Sequence, residues 1–529
     1  MSSPSSPQPA LATPARSRRG LLQKISGLPR IWWSHRIALA ISLVLTASAL
    51  FVYRRTFIEA NPPTILEPIQ RLELNALDTR FRFRGRNHAK PDSRIVIVDI
   101  DQHSQEVLGR WPFSRTNFAN MLDVLREDGA RVVAFDITFS KPDNVLAPIR
   151  ETREEFDKLK HSGAALDRRY SAALKRLESK YNPDQQFSDS IDKFGSVVLG
   201  NFFLYTQSDL AGLDGATLDH YAELLSNFPF PQVRYLRPAQ SKEDFQQLVG
   251  MYGQAGVLPR GAEANLELFN QSLRGDFGTT GFFTIPASTD GVVRHSFLAL
   301  PYGRSRDLDE WDLYASLDLQ TVRIFLGLPI QEAYLMVGPR GVARAELGTK
   351  LTLECDPVSR MIINYRGPVG TFPYRSIADV VQRKFPAGFF RDKIVLVGAS
   401  ATGIADIKTT PFGDLITPGV EIHANVIDNM LHQDFLLRGT QQILWDRRFI
   451  FLFGIPLGLW LAATRAQNLW FGLLAAPPFV IGVYQAFLRG WWLNLTVPLF
   501  TLVANVSLVA LYRVIVEERE KRKKAGNCG

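Results

Sequence analysis

Four long apolar runs break an otherwise mixed chain. The first, Ile37 to Tyr53, has seventeen residues; the others, Phe449 to Ala463, Leu469 to Leu488 and Trp491 to Tyr512, crowd the C-terminal end. A helix crossing a bilayer needs about 20 apolar residues, and interfacial aromatics such as Trp32, Trp33, Trp491 and Trp492 extend a short run. The pattern therefore predicts transmembrane helices over 37–53, 449–463, 469–488 and 491–512. No acid and no internal base interrupts these runs, so no ion path or transporter site is expected in them.

Between the runs the period changes. "RIVIVDID" (Arg94 to Asp101), "ARVVAFDITF" (Ala130 to Phe139), "SVVLGNFF" (Ser196 to Phe203) and "KIVLVGAS" (Lys393 to Ser400) are β-branched apolar stretches separated by helical patterns. Strands apolar on both faces, joined by helices, predict an α/β domain with a mainly parallel sheet covered by helices. "ILEPIQRLELNALDTRFRFRG" carries apolar residues at 65, 69, 72, 77 and 81 and predicts a helix linking the first span to the sheet. Residues 144–190 read as a charged helical insertion, with apolar positions recurring every three or four residues. It is either an arm that pairs with a second subunit or an amphipathic helix packed on its own domain.

The net charge of +9 suggests a nucleic-acid partner until it is located. Residues 1–36 hold six bases and no acid, and 513–529 hold six bases and three acids, so everything between is neutral. The basic segments are membrane flanks held on the cytoplasmic side, and nucleic acid is not an expected partner. Four spans then place a basic leader (1–36) and tail (513–529) in the cytoplasm, and residues 56–440 in the periplasm of a cell inner membrane. The two cysteines, Cys355 and Cys528, fall on opposite sides of that membrane, which excludes a disulfide framework.

Ligands of open α/β sheets bind at the carboxyl ends of the strands. That rule selects Asp99 and Asp101, which close the first strand, and Asp136 near the end of the second. An apolar strand ending in Asp-x-Asp also opens haloacid-dehalogenase phosphatases, but Gln102-His103-Ser104 stand where that family has Gly-Thr. The turn at 398–403 lacks the Lys and the Ser/Thr that end a P-loop. Glu421 and His423, two residues apart in "PFGDLITPGVEIHANVIDNML", read as ligand-binding candidates ahead of a helix; the pair alone is not a metal site, since an acid and an imidazole there also serve as helix caps. No motif calls for a metal or cofactor, and no catalytic residue is assigned.

Taken together, "SRIVIVDID…LGRWPFSRTNFANMLDVLREDGARVVAFDITFSKPD", "STDGVVRHSFLAL", "INYRGPVGTFPYRSIADV" and "RDKIVLVGASATGIADIKTTPFGDLITPGVEIHANVIDNML" resemble the type 2 CHASE domain, a bacterial extracellular sensory module associated with cyclases and histidine kinases. The resemblance spans residues 60 to 440. It implies one N-terminal span, an outer sensor for a stimulus it does not specify, and about three spans leading to a cytoplasmic adenylate or guanylate cyclase or kinase. The insertion is longer than the resemblance leads one to expect, and the chain ends in "VEEREKRKKAGNCG" without such an output. Two readings follow: a receptor that works by binding, as a homodimer and on a cytoplasmic output protein, or the N-terminal sensor part of a truncated cyclase or kinase receptor. A membrane-anchored periplasmic hydrolase is the third, remote reading.

Overall fold

A computed structural model describes residues 19–59, 63–85, 90–144, 151–152, 154, 172–173, 175–176, 182–230, 232–304, 311–401, 403, 406–413, 416–464 and 466–526, with 19–35, 416, 466–467 and 516–526 by backbone alone. Most of the predicted insertion, the first eighteen residues and the last three lie outside the described residues. The chain divides into two compact units: 1–58, 444–482 and 494–529 form one, and 59–443 with 483–493 form the other.

The first unit is helical. Among the described residues three helical stretches are long and apolar enough to cross a membrane: Arg36–Phe57, Asn468–Leu488 and Thr496–Ile515. The 449–463 run is the second half of a helix, Thr440–Ala463, and is not among the three. The reason is its length. Asp446, Arg447 and Arg448 precede it, leaving fifteen residues, or roughly 22 Å of helix at 1.5 Å per residue. Within the unit Ser42 Oγ donates to Asn505 Oδ1 (2.8 Å), whose amide donates to the carbonyls of Phe453 (2.9 Å) and Gly454 (2.7 Å). Gly458 allows this approach, since a Cβ there would lie 2.2 Å from Ser42 Oγ.

The second unit is mixed α/β. Its strands are, in chain order, β1 (Ile95–Ile100), β2 (Val132–Phe135), β3 (Val197–Leu204), β4 (Val233–Tyr235), β5 (Gly261–Glu263) and β6 (Thr279–Phe282). There follow β7 (His295–Phe297), β8 (Ala299–Tyr302), β9 (Asp312–Ala315), β10 (Ala333–Gly338), β11 (Gly341–Leu347) and β12 (Leu351–Glu354). The last are β13 (Arg360–Ile362), β14 (Tyr374–Ser376), β15 (Ile394–Ala399), β16 (Ile407–Thr409) and β17 (Ile416–Pro418).

The central sheet runs β14-β1-β15-β2-β3-β5, with β6 also on β3. Its neighbours are parallel except β5, which runs antiparallel to β3. The smaller sheets pair antiparallel apart from β4 on β10, so the unit as a whole is mixed rather than mainly parallel. Alternation along each central strand feeds two cores. Ile95, Ile97, Val132, Ala134, Ile394 and Leu396 face one, with Val420, Ile422 and Leu77. Val96, Val98, Val133, Phe135, Val395 and Val397 face the other, with Phe118, Leu122 and Phe187. Gly398 lets β15 touch the helix Gly419–His432: a Cβ there would meet Val420 Cβ at 2.6 Å.

The linking helix forms over Glu67–Arg84, but its buried face differs from the predicted one. Ile65 and Leu72 are exposed, whereas Glu73, Asp78, Arg80 and Arg84 are buried beside Leu74, Leu77 and Phe81. Burial of these charges is tolerated because each has a partner. Arg80 donates to Glu73 (2.7 Å) and to the Leu493 carbonyl (3.1 Å), and the Trp492 indole also donates to Glu73 (3.0 Å). Trp492, expected at a membrane interface, is a core residue of this unit.

Candidate functional site

Parallel strands put their carboxyl ends on one edge, and the aspartates chosen from the sequence lie there. They divide into two groups with different roles.

Asp101 caps the helix Gln102–Leu108, accepting from Ser104 N (2.7 Å) and Ser104 Oγ, and it receives Ser376 Oγ from the end of β14 (2.9 Å). Asp99, buried, accepts from the amide and hydroxyl of Ser400 just beyond β15. The amide of Ser400, in the 398–403 turn, is thus turned onto Asp99. Burial pushes Asp99 up to about 6; the Ser400 hydrogen bonds oppose this and the Asp101 charge adds to it. These two carboxylates knit β1, β14 and β15 together, and their oxygens are largely spent on protein donors.

Asp136, one residue past β2, meets the helix Gly419–His432. His423 Nδ1 lies 2.8 Å from Asp318 Oδ1, its Nε2 lies 3.1 Å from the Phe283 carbonyl, and the same Nε2 is 3.8 Å from Asp136 Oδ1. Both ring nitrogens face acceptors, the arrangement that a doubly protonated imidazolium satisfies. Burial opposes that charge, but Asp318 and Asp136 outweigh it and lift His423 to about 9. Burial raises Asp136 to about 7, with His423 working against the shift and Asp406 and Asp318 working with it. Lys408 completes the cluster, its Nζ 3.0 Å from Asp406 Oδ1. Asp406 is exposed and Lys408 part-exposed, while Asp318 and His423 are buried.

Glu421 is not part of this cluster. Residues 421, 423 and 425 sit inside the helix rather than ahead of it, so a spacing of two turns neighbouring side chains about 200° apart instead of onto one face. Glu421 points the other way, accepting from the amides of Gly370 (2.9 Å) and Thr371 (2.8 Å) and from Tyr374 Oη (2.8 Å). It anchors the 370–374 loop. Among the described residues no group of three or more His, Cys, Asp or Glu side chains is placed to hold a metal ion.

Sequence reading missed Asp318, Asp406 and Lys408. Asp318 follows the N-cap Ser316 in the first turn of the helix Leu317–Phe325, where an acid reads as a capping residue. Its contact with His423 spans 105 positions.

The arrangement is a charged, proton-sensitive cluster beside a structural edge. No curated protein and no solved structure matches the chain. The model of the CHASE2 domain matches residues 47–463, far more than half of the sequence. By that match the chain belongs to the CHASE2 domain family, whose members are extracellular sensor domains.

Proposed function

We propose that this protein is an inner-membrane receptor with four spans, both termini in the cytoplasm and residues 56–440 in the periplasm, and that it works by binding rather than by catalysis. One observation carries the topology. Segment 483–493 belongs to the same body as residues 59–443. Its Trp492 and Leu493 are bonded to Glu73 and Arg80 on the helix that follows the first span. A chain that leaves this body at Ile443 and rejoins it at Val483 crosses the membrane an even number of times between them. The 449–463 run and the 468–488 helix supply the two crossings, and the aromatics around the shorter run support its lying across the bilayer.

The same bonds supply a route for the signal. A change in the sheet that shifts the helix Glu67–Arg84 also shifts Leu493, three residues before the helix Thr496–Gly526 begins. That helix hands the change to a cytoplasmic output, either a domain joined to it or a separate protein, and a homodimer is the state in which we expect it to act.

Membrane-impermeant maleimide labelling tests the topology. In a background without native cysteines, Ala211→Cys should label in intact spheroplasts and Gln467→Cys only after lysis. Equal labelling of both in intact spheroplasts would reject four spans.

A further inference from the structure

A cleft of about 570 Å³ opens beside the central sheet, separate from the His423 cluster, with Ser140, Thr217, His220, Tyr221, Asn265 and Glu267 in its wall. Asn265 shapes it: its carbonyl oxygen takes the Phe139 amide (2.8 Å) and its amide donates to the Gly200 carbonyl (2.9 Å), so its polar atoms are committed to backbone. Ser140 Oγ donates to Glu263, on β5. The buried Tyr221 adds its phenol, and burial together with the Glu263 charge raises that group above its ordinary value. The neighbouring His220 ring, centroid 6.3 Å from that of Tyr221, is exposed.

The chemistry of the wall selects by charge. It presents the carboxylate of Glu267, with that of Glu263 behind Ser140, beside two aromatic rings, and among the described residues no lysine or arginine lines it. An anion entering would meet the like charge of these carboxylates. A cation gains both carboxylates and the aromatic faces. Asp219, on the same helix as His220 and Tyr221, is already engaged by Arg304 at 2.6 Å.

We propose that this cleft is the receptor's ligand site and that it takes a small organic cation of the aliphatic amine class. The inference deepens the receptor reading and rests on it. Ser140 is four residues from Asp136 on the segment leaving β2, so an occupant drawing on the Ser140–Glu263 pair acts on the same stretch of chain that faces His423.

Isothermal titration of the full-length protein in lipid nanodiscs with 1,4-diaminobutane, succinate and glucose tests it. The diamine should bind saturably and the other two should not. Glu263→Gln with Glu267→Gln should weaken diamine binding at least tenfold, while Asp219→Asn should change it less than twofold. Absence of diamine binding, binding of succinate in its place, or equal weakening by Asp219→Asn would overturn the proposal. Circular dichroism of each variant separates loss of binding from loss of fold. The maleimide pattern reports topology and the titration reports the ligand, so the two readings fail separately.

Discussion

Replacing His423 with glutamine should remove a pH dependence that the fold otherwise carries. In the folded chain Asp318 and Asp136 lift His423 to about 9, against about 6.5 for a free imidazole. A group raised on folding stabilises fully below its unfolded value, and that stability is lost as pH rises through the folded one. Across this window of roughly 2.5 units, at 1.36 kcal/mol per unit for one proton, the loss is about 3 kcal/mol. Asp136, raised to about 7, adds a loss of the same sign at lower pH, between the ordinary carboxylate value and neutrality. Glutamine keeps a donor for Asp318 but has no proton to lose. Urea unfolding of the full-length chain in detergent, followed by tryptophan fluorescence at pH 6.5 and pH 9, makes the comparison. Wild type should lose about 3 kcal/mol between the two, and His423→Gln, already weakened by a similar amount at pH 6.5, should lose clearly less, its remaining loss being that of Asp136. Parallel losses in both proteins would refute the assignment of the charge to His423.

Two further outcomes follow from buried charge. Arg294 is 1% exposed and bonds Asp78 (2.8 and 2.6 Å) and Asp290 (2.9 and 2.8 Å), so Arg294→Met should cost about 3–5 kcal/mol in the same unfolding assay, and a cost below about 1 kcal/mol would count against the pairing. Asp99→Asn should leave stability at pH 8 within about 1 kcal/mol of wild type or slightly improve it, because burial already disfavours the Asp99 charge; wild type should show no magnesium-dependent phosphatase turnover, and turnover abolished by this substitution would restore a catalytic reading of the strand end.

The strands were legible because sheet residues buried on both faces must be apolar without interruption, and "RIVIVDID" and "KIVLVGAS" have no other use for such composition. Asp136 was legible for a related reason, since the strand that precedes it fixes which edge it occupies. What failed was any inference that needed a partner far along the chain. His423 drew notice as a companion of Glu421, yet its partners are Asp318 and Asp136, brought in by packing of separate elements. The linking helix misled for the same reason: Glu73, Asp78 and Arg80 look solvent-facing by composition, and only the arrival of Trp492 and Leu493 from the other end of the sequence, and of Arg294, makes them interior. Reading Trp492 as an interfacial anchor followed from its place before an apolar run, where the local pattern carries no trace of Glu73.

The return of segment 483–493 to the sensor body bears on how the protein is to be handled. Phe487 stacks edge-on against Phe81 at 5.0 Å and lies under Arg84 at 4.9 Å, and the chain at Leu437 exchanges backbone bonds with Gly490 (2.7 Å) and Trp492 (3.0 Å). A water-soluble fragment cut at Ile443, the natural place to stop before the apolar helices, would expose the Phe81 ring and strip Glu73 of its indole donor. Supplying residues 483–493 in trans as a peptide, or joining them to Ile443 through a flexible spacer, should be what turns an aggregating fragment into a crystallisable one.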